Sequence, residues 1–116
     1  MEKFIDIRIE DKFKIGEEIK EKFKVEFPLV IMGAIDVQYY GKLEEGNYIK
    51  FKIEEQTLLR KIIGIEYLRP SHYLEYMEVK TRGAGLLIEC KSEEEFYKIL
   101  KVESIYQTAT IYKTTK

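Results

Sequence analysis

A mainly β fold, a small closed barrel carrying one short helix, is what this sequence predicts, and three observations predict it. Short apolar runs recur at a spacing of about eight to twelve residues, with turn signals between them. The runs stop at glycine or charge: Gly41-Lys-Leu-Glu-Glu-Gly46, Arg60-Lys-Ile-Ile-Gly-Ile-Glu66 and Gly83-Ala-Gly-Leu-Leu-Ile-Glu89. Only one stretch, Ser92-Glu93-Glu94-Glu95, carries a full helix start. Closure follows because strands this apolar would otherwise leave exposed edges.

In chain order, Lys3 to Glu10 sets Ile5, Ile7 and Ile9 against Asp6, Arg8 and Glu10. Such alternation predicts a half-buried strand within 1–15. Gly16 closes a turn. Glu17 to Lys24 reads two ways, since Ile19 and Phe23 suit a helix while Phe23, Val25 and Phe27 suit a strand. The preferred reading is a turn or one helical turn, then a strand from Lys22. Pro28 marks a strand edge or a bulge because it cannot donate to a ladder. Leu29 to Val37 is a strand covered on both faces, with a bulge or bend at Gly33. Lys42 to Asn47 is a turn. Tyr48 to Ile53 alternates, with Tyr48, Lys50 and Lys52 on one side and Ile49, Phe51 and Ile53 on the other. Glu54 to Thr57 reverses the chain, and Leu58 to Leu68 returns as a strand broken lightly at Gly64. Arg69 to His72 is a loop, because the residue before Pro70 avoids the helical region. Tyr73 to Met77 is too short to assign. Val79 to Thr81 leads to a turn at Arg82-Gly83, and Leu86 to Ile88 form a buried strand. Ser92 is a good N-cap, Glu95 completes a Ser-x-x-Glu capping box, and Phe96, Ile99 and Leu100 give an apolar face of about two turns. Val102 to Tyr112 is the last strand, and 113–116 is a frayed tail.

At 116 residues the chain reads as one domain, 1–116, able to bury a real core. Apolar residues at 45% and charged residues at 35% exclude a disordered chain. The longest apolar run, Pro28 to Ile35, is too short for a membrane-crossing helix. Met1 to Arg8 has no apolar stretch of signal-peptide type, so a cytoplasmic location is the expectation. The net charge of −1 shows no overall basic excess for nucleic acid, although a local basic face remains open. One cysteine, Cys90, and one histidine, His72, exclude an internal disulfide and leave zinc or triad chemistry almost nothing to use. No metal and no cofactor is expected.

Residues 41–100 resemble the second domain of translational GTPases of the elongation factor Tu type, on the three glycine-bounded pieces above taken in order. Gly41-Lys-Leu-Glu-Glu-Gly46 is similar to that family's Gly-Arg-Val-Glu-x-Gly turn, and Arg60 to Glu66 to the strand leading into its Val-x-Gly-Ile. Gly83 to Glu89 with Ser92 to Leu100 is similar to its Gly-x-x-Val-Gly-Leu strand and the helical turn after it. Ile9-Glu10-Asp11-Lys12-Phe13 is similar to the start of that barrel. The resemblance implies a Greek-key connection of the strands and a docking or tRNA-contacting role. The family's Val-Gly-Asp after the first turn is missing, and so is the glycine that closes the helical turn. Nothing reads Gly-x-x-x-x-Gly-Lys-Ser/Thr, so the resemblance implies a stand-alone barrel without GTP hydrolysis.

Among candidate sites, Arg82-Gly83-Ala84-Gly85 could cradle a phosphate, but a strand follows it, so a structural turn is preferred. His72 could act as a general base, yet no oriented partner stands near it in sequence. Cys90 on a buried strand reads as a small core residue. The nine tyrosines, with no tryptophan, are the compositional oddity. Tyr39, Tyr40, Tyr48, Lys50, Tyr73, Tyr76, Tyr112 and Lys113 form the candidate binding surface, where rings among lysines could anchor a protein or stack bases. The competing reading is that the rings pack on the core with only their hydroxyls wet. The leading expectation is a non-catalytic binding module for a protein partner. The alternatives are an RNA or tRNA module, and a small-ligand protein or enzyme using His72.

Overall fold

The computed structural model describes residues 1–39, 41–67 and 81–114. Its elements run β1 (Glu2–Lys14), α1 (Glu17–Phe23), β2 (Pro28–Asp36), β3 (Tyr48–Ile53), β4 (Gln56–Tyr67), β5 (Thr81–Glu89), α2 (Glu93–Lys101) and β6 (Gln107–Lys113). The six strands close into an antiparallel barrel in the order β1-β2-β5-β4-β3-β6. β3, β4 and β5 are neighbours in succession and β6 lies beside β3, which is the Greek-key arrangement.

The alternation read from the sequence sorts the side chains. Ile7, Ile9, Ile49, Phe51, Ile53 and Ile111 are buried inside, while Asp6, Arg8, Lys50 and Lys52 face out. A bulge sits opposite Gly33, on β1 and not in β2: the register passes from Ile9↔Gly33 to Asp11↔Met32 and leaves Glu10 as the extra residue. A Cβ at Gly33 would stand 2.8 Å from Ile7 Cδ1, so the inward methyl group of Ile7 takes the space that glycine leaves.

α2 closes one end of the barrel. Ser92 Oγ accepts from the Glu95 N–H at 3.1 Å, as the cap predicts. Glu95 departs from the simple capping box, for its carboxylate accepts from the Lys91 N–H at 2.8 Å and grips the Arg60 guanidinium through both oxygens. Phe96 and Ile99 then turn into the core. Leu43 joins the same core from the connection beyond β2, at the far end.

Three expectations are corrected. There are two short helices, not one, because 17–23 is helical and no strand begins at Lys22. α1 has no side-chain N-cap at Gly16 and ends on Lys24 at φ 55, so its own sequence supports it weakly. Packing supports it instead: the Phe23 ring lies over Gly64, where a Cβ would meet Phe23 Cζ at 3.2 Å. Arg82-Gly83 is not a turn but part of β5, paired with Ile35 and Ala34. The last strand begins at Gln107, five residues later than Val102 would have it. The readings at 68–80, including the loop at Arg69 to His72 and the approach at Val79, lie outside the described residues.

Candidate nucleic-acid interface

Cross-strand register builds the site. Tyr48 on β3 lies between Lys61 of β4 and Tyr112 of β6, and Tyr112 in turn lies beside Lys3 of β1. Directly opposed residues share a face, so Lys61, Tyr48, Tyr112 and Lys3 form one row on the outside of the barrel. The next row is Leu59, Lys50, Thr110 and Asp6. A third carries Thr57 and Lys52 on β4 and β3, with Thr108 and Arg8 paired on β6 and β1. Five cations and two tyrosines thus share a wall whose single carboxylate within these rows is Asp6.

That carboxylate is already engaged. The Thr110 hydroxyl donates to Asp6 Oδ1 at 2.9 Å and Lys3 Nζ reaches Oδ2 at 3.2 Å, and the two bonds hold the carboxyl below its usual range. Arg8 pairs with Glu10 at 2.7 Å, which raises its pKa, and its guanidinium stands 5.8 Å from the Tyr106 ring centre. The wall therefore keeps a positive balance in a chain whose total is −1.

Tyr48 and Tyr112 are both half-buried. Lys50 projects from the same side of β3 as Tyr48. Lys113 does not accompany Tyr112, because successive strand residues point to opposite faces. Its ammonium instead sits 4.2 Å from the centre of the Phe4 ring at the barrel end. Tyr39 meets the same Phe4 edge-on at 5.6 Å and carries Lys42 5.8 Å from its centre, so it is packed as much as presented. Tyr40, Tyr73, Tyr76 and His72 lie outside the described residues. Lys3, Lys61 and Thr108 escape a reading of the sequence, since only strand register brings them to the face that carries the tyrosines, whereas alternation alone puts Lys52 on the side of Tyr48.

Comparison with protein-family models, with curated proteins and with solved structures finds no match for this chain.

The reactive groups point elsewhere. Cys90 is buried below α2, and burial together with the Glu95 charge pushes its thiol up to about 12, so it is protonated at neutral pH. Among the described residues no three His, Cys, Asp or Glu side chains are grouped to hold a metal ion. Arg82-Gly83-Ala84-Gly85 lies along β5, where Gly85 makes room for Val30 Cγ1 at 3.2 Å from a would-be Cβ. Gly85 thus serves close side-chain approach, and the segment is paired strand with no phosphate loop.

The opposite wall has other chemistry. A hollow of about 260 Å³ lies between α1 and the outside of β2, β5 and β4, lined chiefly by Ile15, Ile19, Phe23, Val30, Ile65 and Leu87.

Proposed function

We propose that this chain is a non-catalytic binding module that holds single-stranded RNA across the outer wall of β4, β3, β6 and β1. The observation that carries the reading is the row Lys61–Tyr48–Tyr112–Lys3, two rings flanked by two ammonium groups on adjacent strands. Bases stack on aromatic faces irrespective of sequence, and lysines beside them hold the backbone. The resemblance of 41–100 to a tRNA-contacting barrel supports the same direction, as does the closed Greek-key connection.

Fluorescence anisotropy of a labelled oligouridylate tests it. Binding is expected at low salt, with log K falling against log salt at a slope of about −2 to −3, as expected for about three or four lysine–phosphate pairs. Tyr48→Ala with Tyr112→Ala should cost about 1–3 kcal/mol for each base unstacked. No binding at about 50 mM salt would remove the reading.

A second reading, docking of a protein partner, draws on the apolar hollow beside α1, where Ile19 is 44% exposed. Co-purification from the native cell tests it: Ile19→Glu should release a specific partner and leave oligouridylate binding unchanged. Recovery of the same partner by the variant would count against this surface.

A further inference from the structure

The ladder between β3 and β6 stops early. Its register runs Tyr48↔Tyr112, Ile49↔Ile111 and Lys50↔Thr110, and then ends. Continuation would set Lys52 against Thr108. Instead the Gln107 side-chain amide occupies Lys52: its Oε1 accepts the Lys52 N–H at 2.8 Å, and its Nε2 donates to the Lys52 carbonyl at 2.6 Å. Nε2 also reaches the Ile105 carbonyl at 3.4 Å. A side-chain amide thus takes the Lys52 backbone bonds that a strand residue would otherwise take.

A hollow of about 350 Å³ opens at this seam, lined by Lys50, Lys52, Thr57, Thr108, Thr110 and Tyr112, with Gln107 and Phe51 beneath. Lys52 presents its backbone groups to β6, so Lys50 does too, and its partner Thr110 faces β3 in return. The alternation of a strand then turns the Thr108 N–H and carbonyl into the seam. The lining holds two ammonium groups, three hydroxyls and a tyrosine ring, and no carboxylate. Asp6 stands beside Thr110 and already accepts a hydrogen bond from its hydroxyl.

Resting on the RNA reading above, the geometry points to this seam as the seat of one phosphodiester of the bound strand. The Lys50 and Lys52 ammonium groups and the Thr108 N–H and hydroxyl meet its non-bridging oxygens, and the adjoining base lies on Tyr112. The other lysines act as a diffuse field, whereas here donors from two strands line one hollow.

Two ligands separate this inference from the reading beneath it: an oligouridylate, and the same oligomer with uncharged methylphosphonate linkages. Lys50→Gln with Lys52→Gln should weaken the charged oligomer about tenfold. It should also lower the salt slope by about 1 for each ammonium–phosphate pair removed. The uncharged oligomer should not distinguish variant from wild type. Amide NMR adds a readout on the folded wild-type chain, in which the Thr108 N–H and the Gln107 side-chain amide should shift with the charged oligomer. If the lysine variant binds like wild type while Tyr48→Ala with Tyr112→Ala still weakens binding, the seam is overturned and the RNA reading stands. If inorganic tripolyphosphate shifts Thr108 but neither oligomer binds, the seam is a free-phosphate site and the strand reading falls. If nothing shifts Thr108 and nothing binds, both fall.

Discussion

The two outer walls of this barrel share only β4 and are put to opposite ends. On the β2–β5–β4 side the outward residues include Val30, Met32, Leu87 and Glu66, with glycines at 64 and 85, and α1 lies beside them. On the β4–β3–β6–β1 side the outward residues are chiefly lysines, threonines and two tyrosines, with Arg8, Asp6 and Leu59 among them, and no helix lies across these strands among the described residues. The inward residues hardly differ between the walls, being mostly isoleucine and leucine with Phe51, Ala84 and Ala109 among them. Labour is thus divided within single strands: the inward set holds the barrel, and the outward set decides what each wall does.

The sharpest way to break that division is along β3. Phe51→Ala should lose about 3–5 kcal/mol of unfolding free energy by emptying the core. Lys52→Ala, one residue on, should stay within about 0.5 kcal/mol in the same urea titration. A comparable loss at Lys52 would mean that the bare wall is structural after all.

Next in size is the ion pair that fastens α2 to β4. Arg60 and Glu95 side chains are only 9% and 12% exposed, so Glu95→Ala leaves a nearly buried guanidinium and should cost about 3 kcal/mol. Burial pushes the Glu95 carboxyl up, but the Arg60 hydrogen bond, the Lys91 N–H and the charges of both residues outweigh it and leave the carboxyl below its usual value. A lowered folded value means the unfolded chain binds more protons in the acid range. The contribution is complete above the unfolded value of about 4.3 and is lost as pH falls through the folded one. Glu95→Gln should therefore flatten the acid limb of stability against pH. Asp6 is lowered as well, but it stands in solvent on the bare wall, where screening weakens such pairs. Asp6→Asn should leave the acid limb nearly unchanged, and an equal flattening would erase the distinction.

The smallest effect belongs to the covered wall. Gly64→Ala places a methyl group against Phe23 and Leu87, at 3.2 and 3.4 Å, and should cost about 1 kcal/mol. Limited proteolysis should then cut within 15–27 faster, while oligouridylate affinity stays put. A fall in affinity would show that the walls are coupled.

Legibility from sequence followed the range of the forces involved. The β1 and β3 alternations and the Ser92 cap depend on neighbours in the chain, and the structure agrees with them. α1 is ambiguous in sequence because its cap is poor and its two apolar residues suffice only when Gly64 receives Phe23. Gly83 misleads because glycine marks turns but also occurs within strands, and only its pairing with Ala34 of β2 tells the two apart. Within the candidate site, Tyr48 with Lys50 is visible as a pair on one side of a strand. Tyr112 with Lys113 could not share a face, since adjacent strand residues diverge.

From its order of residues alone this chain determined that it would be a glycine-punctuated, mainly β barrel with a capped helix. Periodicity and capping act over a few residues, and every copy of the chain carries them. Only the closed barrel decided that Tyr48 would meet Tyr112, that Lys3 and Lys61 would flank them, and that the Gln107 side chain would take the Lys52 backbone bonds. Those contacts depend on strand register, which follows from packing all the inward side chains at once, and no local stretch encodes it.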